Sequence, residues 1–111
     1  MSEIVVVANL KANPGKEDDA REALSGLAET SQSDPGCIFY ALHQGNQDRS
    51  RFVTVERWES QADLDAHMAT DHIAAVLARA EELLAEAPDI VVLDALTLGD
   101  PAKGSLAGAA G

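Results

Sequence analysis

The chain has 111 residues with a formal net charge of −11, 46% hydrophobic residues and one cysteine. That length suits a single domain with a modest core, and so acidic a surface repels phosphate backbones and anionic lipid, which argues against nucleic acid and membranes as partners. A lone Cys37 can form neither an internal disulfide nor a cysteine-type zinc site, so packing must hold the fold and a reducing cytoplasm is the expected location.

Residues 4–11, IVVVANLK, are apolar at nearly every position and predict a central strand buried on two faces. The apolar run is too short, and too poor in basic residues, for a signal peptide, and no stretch reaches the length of a membrane span. Asn13-Pro14-Gly15 ends the strand, and Glu17, Asp18 and Asp19 suit the positive end of a helix dipole. Ala20, Ala23, Leu24, Leu27 and Ala28 then repeat at helical spacing, which predicts a helix over 16–32. Asp34-Pro35-Gly36 stops it. Two strands, 37–44 and 51–59, follow as an antiparallel hairpin across the polar turn GNQDRS. Ser60 with Asp63 resembles a capping box and predicts a short helix to Met68. Thr70 caps a second segment in which Ile73, Val76, Leu77, Ala80, Leu83 and Leu84 share one face, closed by Pro88. DIVVLDALTL, residues 89–98, is the last strand. The Gly- and Ala-rich tail, 99–111, has too little apolar mass to pack alone, so it is a disordered end or is ordered across a partner subunit.

This order predicts an α+β fold over residues 1–98: a ferredoxin-like split βαββαβ subunit, with a four-stranded antiparallel sheet and its helices on one face. The other sheet face, also apolar, is then left bare, and a homodimer packed sheet against sheet is the simplest way to cover it.

On the third strand Phe52, Thr54, Glu56 and Trp58 share one face, because alternate residues point the same way. The turn does not fix the hairpin register, so either Tyr40 and Leu42, or Phe39, Ala41 and His43, join them. Glu56 among apolar neighbours must pair with an arginine or orient a ligand or histidine. Trp58 is core or site, with an indole N–H that needs an acceptor if buried. Asn9, an amide within a buried strand, needs partners in the protein or a ligand. Histidine is the side chain type suited to proton transfer near neutrality, and His67 and His72 are each either a base or a packing residue. Their spacing misses the i, i+4 pattern of helical metal ligands, so no metal site is expected. Cys37 lacks a basic sequence neighbour and reads as an inert thiol. The chain has no phosphate loop, GxSxG elbow or dinucleotide fingerprint, and so no recognisable flavin or nicotinamide cofactor site.

Taken together, DPGCIFYALHQ, FVTVERWES, LDAHMATDHI and the opening VVVANLKANPGK resemble the antibiotic biosynthesis monooxygenase domain family over residues 3 to about 98. The resemblance implies a dimeric α/β barrel of ferredoxin-like subunits. Family activities include cofactor-independent oxidation of hydroquinones and anthrone-type polyketides, haem degradation and a non-redox isomerisation. Asn9 matches the strand asparagine of the haem-degrading branch, but His67 stands at its tryptophan position and Leu77 near its haem ligand. Trp58 matches the polyketide-oxidising branch, whereas Thr54 and Leu64 replace an asparagine and a tyrosine used there. The small stand-alone quinol monooxygenases are the most similar. The resemblance implies oxidation of a small aromatic by dioxygen, with His67 as base and Asn9 and Trp58 as hydrogen-bond donors. Glu56 and His43 would orient the base or bind substrate, Thr54 and Tyr40 would bind substrate, and His72 would stand at the pocket mouth. A ligand-binding dimer without turnover and a non-redox isomerase are the alternatives.

Overall fold

The computed structural model describes residues 3–106. The elements run β1 (Ile4–Lys11), α1 (Glu17–Ser31), β2 (Cys37–Gln44), β3 (Arg51–Trp58), α2 (Gln61–Met68), α3 (Asp71–Leu77), α4 (Ala80–Leu83) and β4 (Asp89–Leu93). The strands form one sheet in the order β2-β3-β1-β4, every adjacent pair antiparallel. This is the ferredoxin-like arrangement expected, with the helices layered on one face. No helix among the described residues is long and apolar enough to cross a membrane.

Buried Ile4, Val6, Ala8 and Leu10 alternate along β1 with half-buried Val5, Val7, Asn9 and Lys11. The strand is therefore fully covered on the helix side only, which corrects the expectation of two buried faces. Val5, Val7, Val53 and Val55 lie on the far face, which none of the helices covers. Beneath the helices the core has two parts. Leu10, Leu24, Leu27, Phe52, Ile73 and Leu83 pack at one end, and Ile4, Val6, Ala28, Tyr40, Trp58 and Leu64 at the other, with Leu42 touching both. Ala20 is completely buried, and its small side chain lets α1 lie close to its neighbours.

Two elements are shorter than their periodicity predicts. The helical pattern from Ile73 to Leu84 breaks into α3 and α4, because the end of α4 is tied to the end of β1. Asn13 Nδ2 donates to the Glu81 and Glu82 carbonyls at 3.1 and 3.0 Å, and Leu84 pairs with Ala12 in an isolated β-bridge. Leu77, expected in the core, is consequently half exposed. β4 stops at Leu93 instead of residue 98, since Leu93 pairs with Val5 and β1 offers only Ile4 beyond it. Leu96 and Leu98 are over 70% exposed. In the tail, Asp100 organises a tight turn by accepting from the backbone N–H of Ala102, Lys103 and Gly104. Residues 107–111, the remainder of the segment expected to be an unpacked tail, lie outside the described residues.

Candidate active site

The hairpin register, open from sequence, pairs Tyr40 with Glu56 and Leu42 with Thr54, so Tyr40 joins the Trp58 face. A register shift between Cys37 and Phe39 keeps Cys37 opposite Trp58. Thr54, Glu56 and Trp58 are 2%, 4% and 0% exposed. The Glu56 carboxylate accepts from Trp58 Nε1 at 2.9 Å through Oε1 and from Thr54 Oγ1 at 2.7 Å through Oε2. Of the two readings of Glu56, the arginine pair is overturned: the neighbouring Arg57 points to the far face and pairs with Glu3. Trp58 thereby spends its indole N–H on Glu56, which corrects its expected role as a donor to substrate. Burial, with the Glu56 carboxylate next to it, pushes the Tyr40 hydroxyl far above the usual phenol range.

His67 comes from the last turn of α2, and its side chain is 1% exposed. The helix starts as the sequence predicts: Ser60 Oγ accepts from the Asp63 N–H at 3.2 Å and donates to its carboxylate at 3.0 Å. After Met68 the chain bends. Thr70 Oγ1 donates to the His67 carbonyl at 2.7 Å and caps α3 by accepting from Ile73 N. The bend brings His67 and His72 to one carboxylate, that of Asp34. Oδ2 of Asp34 lies 2.7 Å from His67 Nδ1 and 2.8 Å from His72 Nε2. Asp34 opens a tight turn with Pro35 second and Gly36 third, closed by a 3.1 Å bond from Cys37 N to the Asp34 carbonyl. Gly36 has φ +81, the left-handed conformation that a type II turn requires at that position. Burial alone would raise the Asp34 pKa, but the bonds and charges of His67 and His72 outweigh it and hold the carboxyl below its ordinary value.

Asp34 is the site residue that sequence reading missed, because DPG read as a helix stop. The available signal was an acidic residue placed by a Pro-Gly turn immediately before the strand carrying Tyr40. With Asp34 ionised, both rings satisfy it by donating. In its neutral form His67 then carries its proton on Nδ1 and a lone pair on Nε2. That nitrogen has no hydrogen-bond partner among the described residues. It is not fully occluded either, since Ser31 Oγ is the one enclosed side-chain polar atom left unpaired there. The Trp58 ring lies 4.5 Å from the His67 ring, centroid to centroid and tilted by 37°, and the Tyr40 ring 5.8 Å away.

His67, Glu56, Thr54 and Tyr40 line one pocket with apolar walls from Val6, Ala8, Leu10, Leu27, Leu64 and Ile73. Exposed Met68, Leu77 and Ile90 also line it and mark its mouth. Its volume is about 60 Å³, several times the ~10–15 Å³ that one water needs on the same measure. Four expected site residues are absent from its lining, the first being Trp58, which packs against the His67 ring with its indole N–H on Glu56. Asn9 and His43 both pair with Val53 and so belong to the far face, leaving Ala8 in the position facing the pocket. The match of Asn9 to the haem-degrading pattern thus does not bring its amide into the pocket. His72 stands behind His67 on Asp34 instead of at the mouth. The Cys37 thiol is pushed up to about 11, by burial first and then by Glu56 and Asp34, which agrees with an inert role.

Residues 3–79 match the family model described as antibiotic biosynthesis monooxygenase. The chain is 30% identical over 89 residues to the uncharacterised protein sll1783 of Synechocystis, covering 80% of this chain but 60% of that protein. It is 28% identical over 88 residues to the candidate monooxygenase YcnE of Bacillus subtilis, covering 79% and 93% of the two chains. Among solved structures, PA3566 of Pseudomonas aeruginosa superposes with a TM-score of 0.81 at 29% identity, over 86% of this chain and 96% of that one. The matched residues make up more than half of the sequence, and the chain belongs to the antibiotic biosynthesis monooxygenase family.

Proposed function

We propose that this protein is a monooxygenase that oxidises a small electron-rich aromatic, a hydroquinone or an anthrone-like phenol, with dioxygen and no external reductant. The observation that carries this is His67, a buried imidazole that lines an apolar pocket with its Nδ1 held by Asp34 and its Nε2 left without a protein partner among the described residues. A substrate hydroxyl or acidic C–H set against Nε2 gives up its proton there, and Asp34 stabilises the imidazolium that forms. The substrate anion passes one electron to dioxygen, and the resulting substrate radical and superoxide combine at a ring carbon. His67 returns its proton to the peroxide, and loss of water from the hydroperoxide leaves a carbonyl. For a hydroquinone the balance is one dioxygen consumed and one hydroxyquinone and one water formed, with all electrons supplied by the substrate. Apolar walls keep bulk water from protonating the intermediates. Glu56, held by Trp58 and Thr54, accepts from a second substrate hydroxyl and so fixes which carbon is exposed to oxygen.

The working unit in this proposal is a cytoplasmic homodimer. Its support is the apolar far face of Val5, Val7, Val53 and Val55, together with the lone cysteine.

Oxygen uptake over a panel of hydroquinones and anthrones, without added cofactor, tests the proposal alongside His67→Ala. Uptake above the uncatalysed background that falls in the variant supports it. No uptake, with saturable thermal stabilisation by the same compounds, replaces it with a binding role. Turnover that persists without oxygen replaces it with isomerase chemistry.

A further inference from the structure

The bend between α2 and α3 does more than place His67 in the pocket. It converges two imidazoles and one carboxylate, from three different elements, on a single point. Oδ2 of Asp34, Nδ1 of His67 and Nε2 of His72 all lie within 4.8 Å of one another. Two histidines with one carboxylate form a donor set suited to first-row divalent ions and leave coordination positions open. The i, i+5 spacing that argued against metal on a continuous helix carries no weight here, because the helix is not continuous.

We infer that Asp34, His67 and His72 form a binding site for a divalent transition ion of the zinc type. Ligand atoms about 2.0–2.2 Å from one ion lie roughly 3.3 Å apart at tetrahedral angles, so the present 2.7 and 2.8 Å contacts need only a small outward rotation of the side chains. The His72 and Asp34 side chains are 23% and 11% exposed, which gives an ion a path from solvent, and the net charge of −11 favours its approach. Each imidazole stays neutral by moving its proton to its other nitrogen when the metal takes the bound one. For His67 the proton moves from Nδ1 to Nε2, so the nitrogen without a protein partner among the described residues changes from acceptor to donor. Metal occupancy therefore removes the base. The site itself does not depend on the proposed oxidation, whereas this inhibitory consequence rests on it.

The test uses the full chain, without a polyhistidine tag and stripped of metal, titrated with Co²⁺ by visible d–d absorption and with Zn²⁺ by calorimetry. The expected result is one ion per chain with histidine ligation. His72→Ala and Asp34→Asn should each weaken binding by at least the ~10–100-fold that loss of an outer-shell partner costs. His43→Ala, the third histidine and on the far sheet face, should bind as wild type. His72→Ala is the safer variant for folding, since that side chain is partly exposed and outside the pocket. Absence of a Co²⁺ spectrum, or an isotherm unchanged in His72→Ala and Asp34→Asn, overturns the site and assigns any binding to surface carboxylates. If hydroquinone-dependent oxygen uptake is present, saturating Zn²⁺ should suppress it in wild type and much less in His72→Ala; uninhibited turnover at full occupancy overturns the proton-shift consequence. Metal binding at the site, with no uptake by the metal-free chain on any substrate, upholds the site and removes the monooxygenase proposal instead.

Discussion

Asp34→Asn removes one negative charge while keeping the size of the side chain, and it bears directly on the proposed base. In the native protein one oxygen serves both rings, at 2.7 and 2.8 Å. An asparagine offers one accepting oxygen and one donating NH₂. If the NH₂ turns to His67, the ring must accept at Nδ1 and carry its proton on Nε2, and the base is lost. If the oxygen stays, the tautomer survives but the imidazolium formed in the reaction loses its counter-charge. Two unit charges about 4 Å apart at an effective dielectric near 20 interact by about 4 kcal/mol. With Asp34 only 11% exposed, most of that is retained in the site. At 1.36 kcal/mol per decade the loss corresponds to a fall in kcat of roughly 10²–10³-fold, read by oxygen uptake at saturating hydroquinone. The variant should also alter acid stability. The folded Asp34 carboxyl lies below its ordinary value of 3.8, so its stabilisation is fully present above that value and is lost as pH falls through the lower folded value. In urea melts the stability gap between wild type and Asp34→Asn should therefore narrow as pH falls from about 5 to about 3. A variant with near-native kcat and an unchanged pH–rate profile would refute the Asp34–His67 assignment.

Three further outcomes are expected. Gly36→Ala places a Cβ 2.2 Å from the Asp63 side chain at a φ of +81, so the start of α2 must shift; urea melts should show a loss of more than about 1 kcal/mol, with reduced turnover because α2 carries His67. Trp58→Phe keeps the aromatic packing but deletes the 2.9 Å donor to Glu56, and should cost about 1–3 kcal/mol in chemical denaturation; an unchanged midpoint would show that Glu56 does not need that bond. Tyr40 is the single tyrosine, so an alkaline difference spectrum reports it alone. Burial and Glu56 hold its proton, so phenolate absorbance should rise only as the protein unfolds, and a rise in the folded state near pH 10 would contradict that.

Much of the architecture could be read in the chain itself, because it is written in short-range patterns. The period-two and helical spacings located β1 to β3 and α1, and Ser60 and Thr70 marked the starts of α2 and α3 through hydrogen bonds made within three residues. The broken helix and the shortened β4 could not be read in this way, since their causes are distant: Asn13 holds the end of α4 across the fold, and β4 ends where β1 runs out of partners.

For the site, sequence alone determined that Thr54, Glu56 and Trp58 share one strand face, because that follows from the pleat whatever the strand pairs with. It also supplied His67 as the base candidate. The tertiary structure decided the rest. It chose Tyr40 over His43, since a one-residue change of register moves every side chain of β2 to the other face. It turned Asn9 away and set Ala8 toward the pocket. It also joined Asp34 to His67 across 33 positions of sequence, a contact between a turn and a helix end that no local spacing encodes.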